Sequence, residues 1–84
     1  MIDPFQRDLT QFVRALAPEY AGTIRSTTPL FEKGVVDSLK VLELIAYLES
    51  KLDIRITDEQ VTLDNFRSIR AMTHAFCKRE QLAR

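Results

Sequence analysis

The sequence predicts an all-α fold, a small four-helix bundle of three principal helices and one short one. Apolar residues recur at helical spacing in three separate stretches, helix-start signals precede those stretches, and no segment alternates convincingly over the length of a strand. Only Asp53-Ile54-Arg55-Ile56-Thr57 alternates, briefly, and it reads better as a linker. A length of 84 residues accommodates one domain, expected to span 1–84. A chain of this size buries roughly 60% of its unfolded surface, so its core is small and no second layer is available to wall a large substrate cleft.

Phe5, Leu9, Phe12, Val13 and Leu16 form one stripe of an amphipathic first helix. Asp3 serves as its N-cap, Pro4 takes the first helical position and Pro18 forces the end. Residues 18–36 have no period and are punctuated by Pro18, Gly22, Pro29 and Gly34. They are too apolar for a solvated linker, so they read as a long loop pinned to the core by Leu30, Phe31 and Val35. The second helix opens at Asp37-Ser38. Leu39, Leu42 and Ala46 make one stripe on it, and Val41, Leu44, Ile45, Leu48 and Leu52 an adjacent one. A helix apolar over more than half its circumference is either packed on both sides or offers part of that face to a partner. Thr57-Asp58-Glu59-Gln60 fits a capping box opening a short third helix. A last helix starts near Asp64 or Asn65, with Phe66, Ile69, Met72 and Phe76 inward.

Twelve basic residues balance twelve acidic ones, which gives no electrostatic basis for a nucleic-acid partner. The distribution is uneven. Residues 37–60 hold six acids against three bases, a net of −3, and residues 65–84 hold five bases against one acid, a net of +4. The acidic middle could attract a basic partner. One cysteine closes no disulfide within the chain, and the longest apolar run, Leu44 to Leu48, falls far short of the ~20 residues that span a bilayer. The Met1-Ile2-Asp3-Pro4 start lacks a basic and then apolar leader, so a cytoplasmic protein is expected, and the small charged surface gives no reason to expect more than a monomer.

Catalysis finds little to work with. Nucleophilic chemistry needs a base beside the nucleophile and donors for an oxyanion, but the only histidine, His74, lies deep in the last helix. A Ser38–His74 pair lacks a glycine-rich elbow. Cys77 has no second cysteine with which to build a thiolate metal site, and two glycines twelve residues apart form no phosphate-cradling motif. Glu43, Glu49 and Glu59 read as solvated faces. No catalytic residue and no metal site is expected, so the chain does not read as an enzyme.

Asp37-Ser38-Leu39 stands apart. A long pinned loop ends in Gly34-Val35-Val36 and delivers a serine to the first turn of the most apolar helix. Unpaired backbone N–H groups and the helix dipole put positive potential beside that hydroxyl, a place suited to a phosphate ester. Without a base Ser38 is not a nucleophile in its own right. It is a serine prepared for modification by another protein, although capping alone is the common use of such residues.

The stretch Leu30-Phe31-Glu32-Lys33-Gly34-Val35-Val36-Asp37-Ser38-Leu39-Lys40-Val41-Leu42-Glu43-Leu44-Ile45-Ala46-Tyr47-Leu48-Glu49, continued by Leu52-Asp53-Ile54-Arg55-Ile56-Thr57-Asp58-Glu59, resembles the acyl carrier protein family. The resemblance implies an all-α carrier with 4′-phosphopantetheine on Ser38, transferred from coenzyme A by a Mg²⁺-dependent phosphopantetheinyl transferase. It implies that Asp37 assists that transferase, that Leu39 anchors the helix start, and that Leu39, Val41 and Glu43 meet partner enzymes. It further implies acyl groups carried as thioesters between acyltransferase or synthase enzymes of fatty-acid, lipid or polyketide biosynthesis, with an apolar cleft between helices as shelter for the acyl chain. Two features depart from the fatty-acid members, which carry an acid where this chain has Lys40 and often an alanine where it has Val36. With the Thr62-Leu63-Asp64-Asn65-Phe66 run, these look more like freestanding carriers of special acyl groups or of amino acids, such as D-alanyl and peptidyl carriers, loaded by a separate ligase. From another class, the competing reading is an unmodified helical adaptor binding partners through its second helix.

Overall fold

The computed structural model describes residues 4–77, without the Cys77 side chain. Helix α1 spans Pro4–Leu16 and α2 spans Ser38–Leu52. Two four-residue helices follow, α3 at Leu63–Phe66 and α4 at Ile69–Met72, and α4 widens into a π turn over Thr73–Cys77. Short 3₁₀ helices lie at Pro18–Thr23 and Asp58–Gln60. No strand occurs among the described residues, and 53–57 is a linker despite its brief alternation, as expected. The expected cap at Asp3 and the cations Lys78, Arg79 and Arg84 lie outside the described residues.

Helix α1 buries the face its periodicity indicates, with Phe5, Leu9 and Val13 in the core. The α2 contribution is Leu44 and Leu48, both fully buried. Between the two helices Phe12 stacks on Tyr47 with ring centroids 4.2 Å apart, and Lys51 pairs with Asp8 at 3.1 Å. The two helices therefore run side by side, with the start of α1 against the end of α2. Phe66, Ile69, Met72 and Phe76 close the core from the third side, as their spacing predicted, and Phe66 and Phe76 meet at 5.4 Å.

The last helix is not continuous, contrary to expectation. It starts at Leu63 with Thr62 as N-cap, and it breaks at Ser68, whose backbone is extended (φ −149°, ψ 168°). The long loop takes up the backbone groups that the break leaves. In an unbroken helix the Arg67 carbonyl would accept from Ala71 and the Phe66 carbonyl from Arg70. Here the Leu30 N–H donates to the Arg67 carbonyl at 2.7 Å, and the Arg70 N–H donates to the Ser26 carbonyl at 2.8 Å. The Ser68 hydroxyl takes up the displaced Ala71 N–H at 3.0 Å and starts a new helix. The apolar period runs straight across the break because both pieces face the same core.

Loop 18–36 is pinned as expected, by buried Leu30 and Val35 and half-buried Phe31, with Ile24 and Val36 as further buried anchors. It is not featureless: Pro18, which ends α1, also occupies the first position of a 3₁₀ helix. The capping box at Thr57 is present. The Gln60 side chain reaches back to accept from the Thr57 N–H at 2.9 Å, and the helix it opens is a single 3₁₀ turn.

Candidate functional site

The end of the long loop is built by backbone bonds. The Leu30 carbonyl accepts from the Val35 and Val36 N–H groups at 2.9 and 3.2 Å, and the Gly34 N–H donates to the Phe31 carbonyl at 3.1 Å. Closing this turn requires φ +78° at Gly34, a left-handed conformation that costs a side-chain-bearing residue about 1–2 kcal/mol. A Cβ there would meet only the Tyr20 hydroxyl, at an ordinary 3.5 Å, so the backbone angle rather than space selects glycine. An Arg67–Glu32 ion pair at 3.2 Å adds an exposed tie to α3.

From this turn the chain enters α2 through Asp37, in extended conformation. One Asp37 carboxylate oxygen accepts from the Leu39 N–H at 3.1 Å and from the Lys40 N–H at 2.9 Å, and the Asp37 carbonyl accepts from Val41 at 3.0 Å. Two first-turn amides expected to await a phosphate are thus already occupied by the cap. Ser38 follows as the first helical residue. It is exposed, and its hydroxyl makes no hydrogen bond to any described residue. His74 is exposed on the last helical segment, and no base is hydrogen-bonded to Ser38. The serine is accessible without being activated.

Beside Ser38 opens a groove of about 520 Å³. Phe31, Val36 and Val41 from the loop and α2 and Val61, Leu63 and Phe66 from the segment around α3 are its apolar lining, and Asp37, Ser38 and Thr62 its polar lining. The lining from around α3 was not legible in the sequence, because Val61 and Leu63 flank an irregular segment with no period. The available signal was the Thr62-x-x-Asn65 cap pattern, realised as an Asn65 N–H donating to the Thr62 hydroxyl at 3.2 Å.

On the outer face of α2, Leu39 is 76% and Leu42 61% exposed, with Glu43 and Ala46 exposed beside them. This decides between the two readings of the apolar helix: Leu44 and Leu48 are core, and the Leu39–Leu42–Ala46 stripe faces water. It also corrects the role expected for Leu39. A side chain so exposed anchors nothing within the chain, and the Asp37 carboxylate holds the helix start instead. Of the three residues expected to meet partners, Leu39 and Glu43 face outward while half-buried Val41 lines the groove.

A second correction concerns Glu49, expected on a solvated face. Its carboxylate accepts from the Ile56 N–H at 2.8 Å, clamping the linker against α2. The clamp is far from Ser38 and structural. No helix among the described residues is long and apolar enough to cross a membrane.

Comparison with protein families places a phosphopantetheine attachment site model on residues 8–76, across α1, the long loop, the Ser38 turn, the groove and α4. Comparison with curated proteins gives no match. The matched residues comprise most of the chain, and the all-α architecture agrees with the match. The chain therefore belongs to the phosphopantetheine-attachment family of acyl-carrier-type domains, whose members bear covalent 4′-phosphopantetheine.

Proposed function

We propose that Ser38 is the residue that bears the arm, and that the chain is a single carrier domain over 1–84 holding acyl groups for separate enzymes. The observation that carries this reading is an exposed, unbonded serine hydroxyl at the head of α2 and at the mouth of an apolar groove. The residues fit the group: the hydroxyl is reachable by a transferase, and the dipole of a helix of 15 residues favours a phosphodiester at its start. When attached, the arm supplies a terminal thiol on which acyl groups are carried as thioesters.

The chain's own residues orient, recognise and shelter. Asp37 fixes the first turn and so the direction in which Ser38 points. The groove has a volume within the roughly 300–1,000 Å³ of small-molecule sites, and its aliphatic and aromatic walls suit an apolar acyl chain better than an amino acid. Leu39, Leu42 and Glu43 offer a transferase, a loading ligase or an acyltransferase an apolar patch with a charged edge. Lys40 adds a cation there, which favours a partner that presents a carboxylate at that point. Bond-making is left to those enzymes.

Incubation with coenzyme A and a broad-specificity phosphopantetheinyl transferase tests the assignment. The intact mass is expected to rise by one phosphopantetheine, and Ser38→Ala to show no rise. A wild-type mass unchanged under conditions that modify a control carrier would favour the unmodified adaptor.

A further inference from the structure

A second surface is chemically unlike the Ser38 end. Arg7 and Arg14 lie seven residues apart on one face of α1, with Thr10 between them, and Arg25 and Ser26 of the long loop complete the rim of a cup of about 430 Å³. All three arginines are exposed, and none forms an ion pair with a described residue. Asp8, the acid nearest in sequence, is engaged with Lys51 at 3.1 Å. Arg14 is held in place by donating to the Ile24 carbonyl at 3.1 Å, which leaves the rest of its guanidinium for an outside acceptor.

At its Arg7 end the cup is remote from Ser38. Lys51 lies thirteen residues beyond Ser38 on α2, about 20 Å along the helix axis at 1.5 Å per residue, and its partner Asp8 adjoins Arg7. Along α1 the two arginines are separated by about 10 Å, more than one phosphate group spans. No buried polar group lines the cup to fix a small ligand. Exposed guanidinium groups spread over an open concavity match several carboxylates on a protein surface, each of which an arginine can take bidentately.

We propose that the Arg7–Arg14–Arg25 cup is a second docking surface, which takes a carboxylate-rich segment of a partner protein while the Ser38 end remains free. The chain then has an apolar face edged by Glu43 and Lys40 at the arm and a basic surface on α1, so the two surfaces select partners of different chemistry.

Amide NMR titration of the full chain with a capped hexaglutamate peptide at low ionic strength tests this. The expected result is movement of resonances within 6–14 and 24–26. The effect should disappear at about 0.5 M salt, where the screening length is only a few ångströms. The Arg7→Gln/Arg25→Gln variant leaves the Arg14–Ile24 bond intact, should melt as the wild type does, and should bind about fivefold to tenfold more weakly. No movement at these residues, movement unchanged in the double variant, or tripolyphosphate acting at lower concentration than the peptide would each overturn the proposal, the last by reassigning the cup to small phosphorylated ligands.

Discussion

The two halves of α2 put the same residue to opposite uses. In the second half Leu44 and Leu48 are fully buried in the core, whereas in the first half Leu39 and Leu42 remain 76% and 61% exposed. The polar anchors differ in the same way. Asp37 turns inward on its own helix and satisfies the first turn, while Glu49 reaches out to hold the Ile56 N–H. The second half is thus part of the fold. The first is held rigid from one side and left open on the other, where the serine, the groove and two exposed leucines are adjacent. Retaining such apolar surface costs solubility and gives the fold nothing, so it is best explained by contact with partners.

That contrast can be broken by substitution. Leu48→Ala should destabilise by about 2–5 kcal/mol, the usual range for a fully buried leucine, whereas Leu42→Ala should stay within about 0.5 kcal/mol and instead slow loading by partner enzymes. Urea denaturation and a loading assay on both variants measure the split, and equal stability losses would erase the distinction between the halves. The anchors give a smaller difference. Glu49→Ala removes a hydrogen bond to a charged acceptor and should cost about 1.5–3 kcal/mol; Asp37→Ala removes a cap and should cost about 1 kcal/mol. Reversal of that order in thermal melts would mean that the α2 start, and not the linker clamp, is the stronger structural joint.

The smallest effect is one of pH. Burial raises the Tyr47 phenol above its ordinary 10.0, with Lys51 opposing and Asp8 reinforcing the shift. A hydrogen bond and charge from Asp8 raise Lys51 above 10.5. Both groups hold their protons more tightly when folded, so their contributions are fully present below the unfolded values and are lost as pH rises through the folded ones. Stability should therefore decline above pH 10.0, and more gently in Tyr47→Phe. An identical decline in that variant would remove Tyr47 as a cause.

Much of this arrangement was legible in the chain itself. The α1 stripe from Phe5 to Leu16 and the Asp37-Ser38 start of α2 are local signals, and both elements form as their residues dictate. The break at Ser68 was not legible from the apolar period, because Phe66, Ile69, Met72 and Phe76 face one core on either side of it. It depends on the Leu30 and Arg70 backbone bonds to distant carbonyls, which no side-chain pattern encodes. Glu49 escaped for the same reason, since its partner is a backbone N–H seven residues away. At the site, the serine and its cap were readable from three residues. The groove needed the fold, because Val61 and Leu63 become a wall only when the Thr62 cap turns α3 toward Val36 and Val41.

Mapping the modified peptide tests directly whether Ser38 bears the phosphopantetheine arm. Trypsin cleavage after Lys33 and Lys40 releases the peptide Gly34 to Lys40, in which Ser38 is the only hydroxyl-bearing side chain. Tandem mass spectrometry of this peptide from transferase-treated protein should show the added phosphopantetheine on it and on no other fragment. The group found on any other peptide, with Gly34 to Lys40 unmodified, would show that Ser38 is not the attachment residue.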